Sequence, residues 1–251
     1  MRHLRNTFKS KFISIFALIA VVLCPQFMAA DTGQHKRFVY EIFWLGVWAG
    51  TAVLDFEITP EGVTTIKTHA TSAPLISLFY KVDDTAQSIL YPDGYPKMFT
   101  LKVRQGRHKR DKVTYFEKKI DGEPQKIVFN NIRDEEITEY FVDKQAYDPL
   151  SAFYAMTRWD LKTGHSSYID IFDNEKLWNT EVQVLRREKV RVPAGEFDAI
   201  VVKPILQSEG IFPKTGDMII WATDDENKLP VKLKSKASIG HFTALLVEGE
   251  L

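Results

Sequence analysis

Two clusters of carboxylates stand out as groups that could do chemistry, Asp83-Asp84 and Asp224-Asp225-Glu226, with Asp170 as a lone acid between them. Facing carboxylates can divide acid and base work or hold a divalent cation. These acids are adjacent in sequence and sit where turns are expected, and neighbours on a strand point to opposite faces. Solvated turns are the simpler reading. Past residue 30 the histidines are His35, His69, His108, His165 and His241. None falls in an H-x3-H or H-E-x2-H spacing, so no metal site is expected. Ser151 lacks the G-x-S-x-G elbow of a serine nucleophile, and its place one turn into a helix is explained by capping. No residue is assigned to catalysis and no cofactor is implied, so the chain reads as non-enzymatic.

Two other groups suit binding. Phe43, Trp44, Trp48, Phe79 and Tyr80 could line an apolar pocket for a lipid or acyl chain. They suit a dry core equally well. Residues 102–112 (KVRQGRHKRDK) centre on Gly106 and read as a basic hairpin tip. Its Arg104, Arg107, Lys109 and Arg110 could meet anionic headgroups or an acidic envelope partner. As a solvated hairpin they would also blunt a sheet edge. Lys+Arg and Asp+Glu both number 33, which gives no overall pull toward nucleic acid. Segment 72–78 (SAPLISL) exposes Leu75 and Ile76 unless it packs inward, as a lid or a membrane-touching tip.

These residues must be held by strands and one helix. Leu54, Phe56 and Ile58 alternate with Asp55 and Glu57, and the same alternation recurs over 99–104 and 229–236. Such period-two patterns give antiparallel strands with one wet face. Pro60-Glu61-Gly62, Pro92-Asp93-Gly94, Asp121-Gly122 and Pro193-Ala194-Gly195 punctuate them. Segments 40–48, 199–202 and 218–221 are apolar on both faces, so a second layer must cover them. Residues 148–164 (DPLSAFYAMTRWDLKTG) predict the one long helix. Asp148 caps it, Pro149 suits its first position, and Gly164 suits the residue after its last turn. Its broad apolar surface marks it as buried. The polar segment 130–145 reads as a loop or edge where the fold could divide internally, near 130–148.

The first thirty residues read as a secretory signal. Arg2, Arg5, Lys9 and Lys11 precede an uncharged apolar run over 12–23, with cleavage expected after Ala30. Cys24 is the only cysteine, and Leu23 before it is a poor lipoprotein signal. The remaining chain, 31–251, is expected to be one soluble β-rich periplasmic domain without disulfides.

Several motifs recur in order: Tyr40, Trp44, Gly46 and Gly50; Leu78 to Asp83 (LFYKVD); Asp148, Pro149, Ser151 and Tyr154 within DPLSAFY; 193–199 (PAGEFDA); Ile220-Trp221 leading to Leu229-Pro230-Val231; and Gly240. This order resembles the exported bacterial family named domain of unknown function 3108. The resemblance implies an envelope protein, with fold analogy to the half-barrels of periplasmic lipoprotein carriers. The expected architecture is mainly β: a curved antiparallel sheet, a half-barrel or open barrel, wrapped around one main α-helix. The expected role is binding of an apolar or lipid-like ligand or of a partner segment. The alternatives are an assembly factor for another envelope protein and a glycan or ester hydrolase.

Overall fold

The computed structural model describes residues 34–205, 218–236 and 240–249. The expected signal segment 1–30 and the expected cleavage after Ala30 lie outside the described residues. The chain forms β1 (Gln34–Trp44), β2 (Val47–Ile58), β3 (Thr64–Ser72), a short helix α1 (Pro74–Ser77), β4 (Asp83–Leu90), β5 (Pro96–Gln105), β6 (His108–Phe116), β7 (Gln125–Asn131) and β8 (Glu136–Val142). Helix α2 (Pro149–Thr157) follows, then β9 (Ser166–Asp173), β10 (Lys176–Val192), β11 (Gly195–Ile205), β12 (Met218–Thr223), β13 (Pro230–Lys236) and β14 (His241–Gly249).

The strands join in one 14-stranded sheet, ordered β8-β7-β6-β5-β4-β3-β2-β1-β14-β13-β12-β11-β10-β9. Pairing is antiparallel between sequence neighbours, with two departures. β1 pairs with β14 as well as β2, and β8 and β9 are left as the two edges. The sheet is therefore barrel-like but open, and its seam lies between two strands that are consecutive in the chain.

Side chains and the 143–148 segment bridge that seam. Tyr147 N–H donates to the Asp170 carbonyl at 2.9 Å, and its own carbonyl accepts from Phe172 N–H at 2.7 Å. Gln125 Oε1 accepts from Ala146 N–H at 2.8 Å. Across the seam Phe172 meets Tyr140 and Phe116, with ring centroids 5.1 and 6.3 Å apart. Lys112 Nζ donates to Asn174 Oδ1 at 2.7 Å.

Helix α2 occupies the concave side. Leu150, Ala152, Phe153, Tyr154 and Met156 are buried with the inward residues of both halves of the sheet, among them Phe56, Leu90, Val182 and Val202. The helix is shorter than its sequence predicts. It ends at Thr157, with Arg158 as its C-cap, and not at Gly164. The long strand β10 explains the difference. Gly164 N–H donates to the Val184 carbonyl at 2.8 Å and Val184 N–H to the His165 carbonyl at 2.9 Å, so 164–165 begin a strand pairing. Leu161 is buried without being helical. Segment 130–145, expected as a loop or edge, supplies the edge strand β8, and the sheet runs unbroken from β8 to β9.

Candidate functional site

The antiparallel order places the loops at two ends. At one end lie the turns 59–63, 91–95 and 117–124, with α2 anchored beside them: Arg158 Nη1 donates to the Asp93 carbonyl at 3.3 Å and Nη2 to Tyr154 Oη at 2.5 Å. Asp148 starts this helix from full burial. Its Oδ1 accepts from the N–H groups of Leu150 (2.8 Å) and Ser151 (3.0 Å), and Oδ2 accepts from Ser88 Oγ at 2.7 Å. Ser151 Oγ accepts from Asp148 N–H at 2.9 Å, which completes a capping box. These contacts account for Asp148, Pro149, Ser151 and Tyr154 by capping and packing.

The opposite end carries the tips of β1–β2, of the β3–β4 connection containing α1, and of β5–β6. The first is a two-residue turn, because Trp44 pairs with Val47. Both Leu45 (φ 50°) and Gly46 (φ 83°) have positive φ, as such hairpin turns require. Asn or Gly is at ease there, whereas leucine is strained by about 1 kcal/mol. Leu45 is nonetheless 52% exposed. The α1 segment joins this tip through Ala73 N–H, which donates to the Ala49 carbonyl at 2.8 Å. The third tip joins α1 through Gly106 N–H, which donates to the Lys81 carbonyl at 2.8 Å.

Leu45, Val47, Trp48, Leu75, Leu78 and Phe79 all stand exposed on these stitched tips, with Phe79 at 85% and Leu78 at 77%. The five aromatic candidates share this end but not one environment. Trp44 stacks on Phe242 with centroids 6.3 Å apart, Tyr80 packs against the core, and Phe43 is half-buried opposite Trp48. Trp48 and Phe79 face solvent. Leu75 is exposed, as 72–78 allowed, while Ile76 packs inward.

The basic hairpin divides in the same way. Arg104 is committed to Asp111 at 2.6 Å and to the carbonyls of Val103 and Arg110. Arg110 and Lys112 point inward with Asp173 nearby, and burial lowers the pKa of both cations. Arg107 and Lys109 face solvent. Just inside this end, Asp84 is buried between Arg104 N–H (2.8 Å) and the Gln105 side-chain amide. Burial raises its pKa above the ordinary 3.8. Gln105 Oε1 is buried without a partner among the described residues. Burial, and secondarily Asp84, pushes the Tyr80 phenol up to about 12.

The other acids are engaged apart from one another. Asp83 meets His69 at 2.7 Å, Asp170 meets Asn179 at 2.8 Å and Lys144 at 3.7 Å, and Asp224 meets Arg187 at 2.7 Å. Among the described residues, no three His, Cys, Asp or Glu side chains are grouped to hold a metal ion. A small apolar pocket of about 20 Å³ lies beside α2, lined by Phe153, Met156, Leu161, Val182, Val202 and Lys228. No described helix is long and apolar enough to cross a membrane.

Residues 39–247 match the model of the family described as "Protein of unknown function (DUF3108)". No curated protein matches the sequence. The chain is similar in fold to a crystal structure of a β-barrel-like protein of domain of unknown function DUF1849 from Brucella abortus. That alignment has a TM-score of 0.61 and 10% identity, and covers 88% of this chain and 99% of the other. A lipoprotein candidate from Parabacteroides distasonis aligns over 90% of this chain and 99% of its own, at 9% identity and a TM-score of only 0.37.

Proposed function

We propose that this chain, which belongs to the DUF3108 family, is a non-enzymatic envelope protein that works by docking its apolar rim onto an apolar or amphipathic surface. The carrying observation is the set of six large apolar side chains exposed on adjacent tips at one end of the sheet. Scattered exposed leucines need no explanation, but a contiguous patch marks an interaction surface. Leu45 strengthens the reading, because a leucine strained in its turn packs against Gly240 and leaves half its surface exposed. Export to the envelope rests on the signal-like segment 1–30. The absence of an assigned catalyst rests on Asp83, Asp84, Asp170 and Asp224, each engaged by a histidine, a cation, an amide or a backbone donor.

Membrane association in fractionated cells tests the reading. The wild type should pellet with the membrane fraction, and the Leu78→Asp, Phe79→Asp double variant should shift to the soluble fraction at unchanged thermal stability. Equal distribution of the two proteins would sink the proposal.

The pocket beside α2 gives the alternative of an enclosed acyl chain no support, because its volume of about 20 Å³ holds about one water molecule.

A further inference from the structure

We infer that the surface met by the apolar rim is an anionic lipid bilayer. The inference rests on the rim-docking reading and adds the chemistry of the occupant. Along the sheet the tips run in the order β1–β2, α1, β5–β6, β7–β8. The first two carry the exposed Leu45, Trp48, Leu78 and Phe79. The next carries Arg107 and Lys109, and Lys81 lies where it joins α1, its carbonyl bonded to Gly106 N–H. Lys81, Arg107 and Lys109 are exposed and have no ion-pair partner among the described residues. The acids beside them are already occupied: Asp83 by His69 and Asp111 by Arg104 and Arg133. Asp134, Glu135 and Glu136 also stand at this end, but on the β7–β8 turn, with the basic tip between them and the apolar side chains.

An apolar tip flanked by free cations matches the layering of a membrane surface, with hydrocarbon beneath anionic headgroups. Leucine, tryptophan and phenylalanine would enter the acyl boundary while lysine and arginine stay at phosphate level. A purely proteinaceous apolar site would not need the cations to lie beside the patch. A purely electrostatic contact would not need exposed Phe79 and Leu78.

Vesicle co-sedimentation tests this with the purified protein. Vesicles of phosphatidylcholine alone are compared with vesicles containing phosphatidylcholine and phosphatidylglycerol in equal parts. The anionic vesicles should bind at least about tenfold tighter, with the preference falling as salt rises. Arg107→Glu with Lys109→Glu should abolish the preference. Leu78→Asp with Phe79→Asp should abolish binding to both vesicles, and circular dichroism should report all variants folded. Equal binding to both vesicle types, or binding indifferent to these substitutions, overturns the inference. Absence of vesicle binding, with cell-fraction association still lost in the Leu78, Phe79 variant, overturns the lipid occupant while rim docking stands. If neither vesicle binding nor cell-fraction association depends on the rim, both readings fall.

Discussion

Asp148 shows what a single residue contributes to this fold. Three buried donors converge on its carboxylate, so Asp148→Ala should cost about 2–4 kcal/mol in urea unfolding, more than an exposed cap. Asp148→Asn, which keeps an acceptor for Leu150 and Ser151, should cost clearly less. Equal losses would mean that the cap is not the source. Asp84 predicts a pH effect. Its folded pKa is raised by burial, so its protonated form is favoured in the fold. That contribution is present below its unfolded pKa and is lost as pH rises through the raised value. Relative to Asp84→Asn, the wild type should therefore lose melting temperature as pH rises past the ordinary carboxylate range. A constant difference would contradict the assignment. Leu45→Asn relieves a positive-φ leucine and should leave stability equal or about 1 kcal/mol higher, while weakening membrane association. The cap was legible in the sequence, because Asp, Pro and Ser at those spacings act locally. The exposure of Leu45 and Leu78 was not, because a leucine in a turn looks the same whether it packs or not. Only the turn rule that Leu45 breaks gave a local sign of it.

At the scale of elements, alternation and turn residues revealed the strands, and apolar breadth revealed the helix. The helix stops short of Gly164 because the β9–β10 ladder continues into 164–165, a long-range contact that local periodicity cannot register. The seam makes a prediction of its own. β8 and β9 are sheet edges although they lie inside the chain, whereas β1 and β14 pair on both sides although they lie near its ends. Hydrogen exchange should find the amides of β8 less protected than those of β1 and β14. The reverse order, with end strands fraying first, would contradict the strand order. Gly50 adds a packing constraint. A Cβ there would stand 2.1 Å from the Thr71 carbonyl oxygen, so Gly50→Ala should push β2 from β3 and lower the melting temperature.

Across the whole molecule, the strand order gives the chain two unlike ends. At one, α2 is latched to the β4–β5 turn; at the other, apolar and basic tips stand side by side. Zero formal net charge conceals this asymmetry, which arises only when distant tips are stitched together. The aromatic and basic candidates were visible as separate stretches, but their meeting at one rim depends on strand order. A photo-crosslinking side chain placed at Phe79 in intact cells tests rim docking most directly, with Ile120 as its counterpart. Ile120 is also exposed, at 59%, but lies on the β6–β7 turn at the other end. The account predicts crosslinked adducts from position 79, abolished by Leu78→Asp, and none from position 120. Adducts from both positions alike, or from position 120 alone, would contradict it.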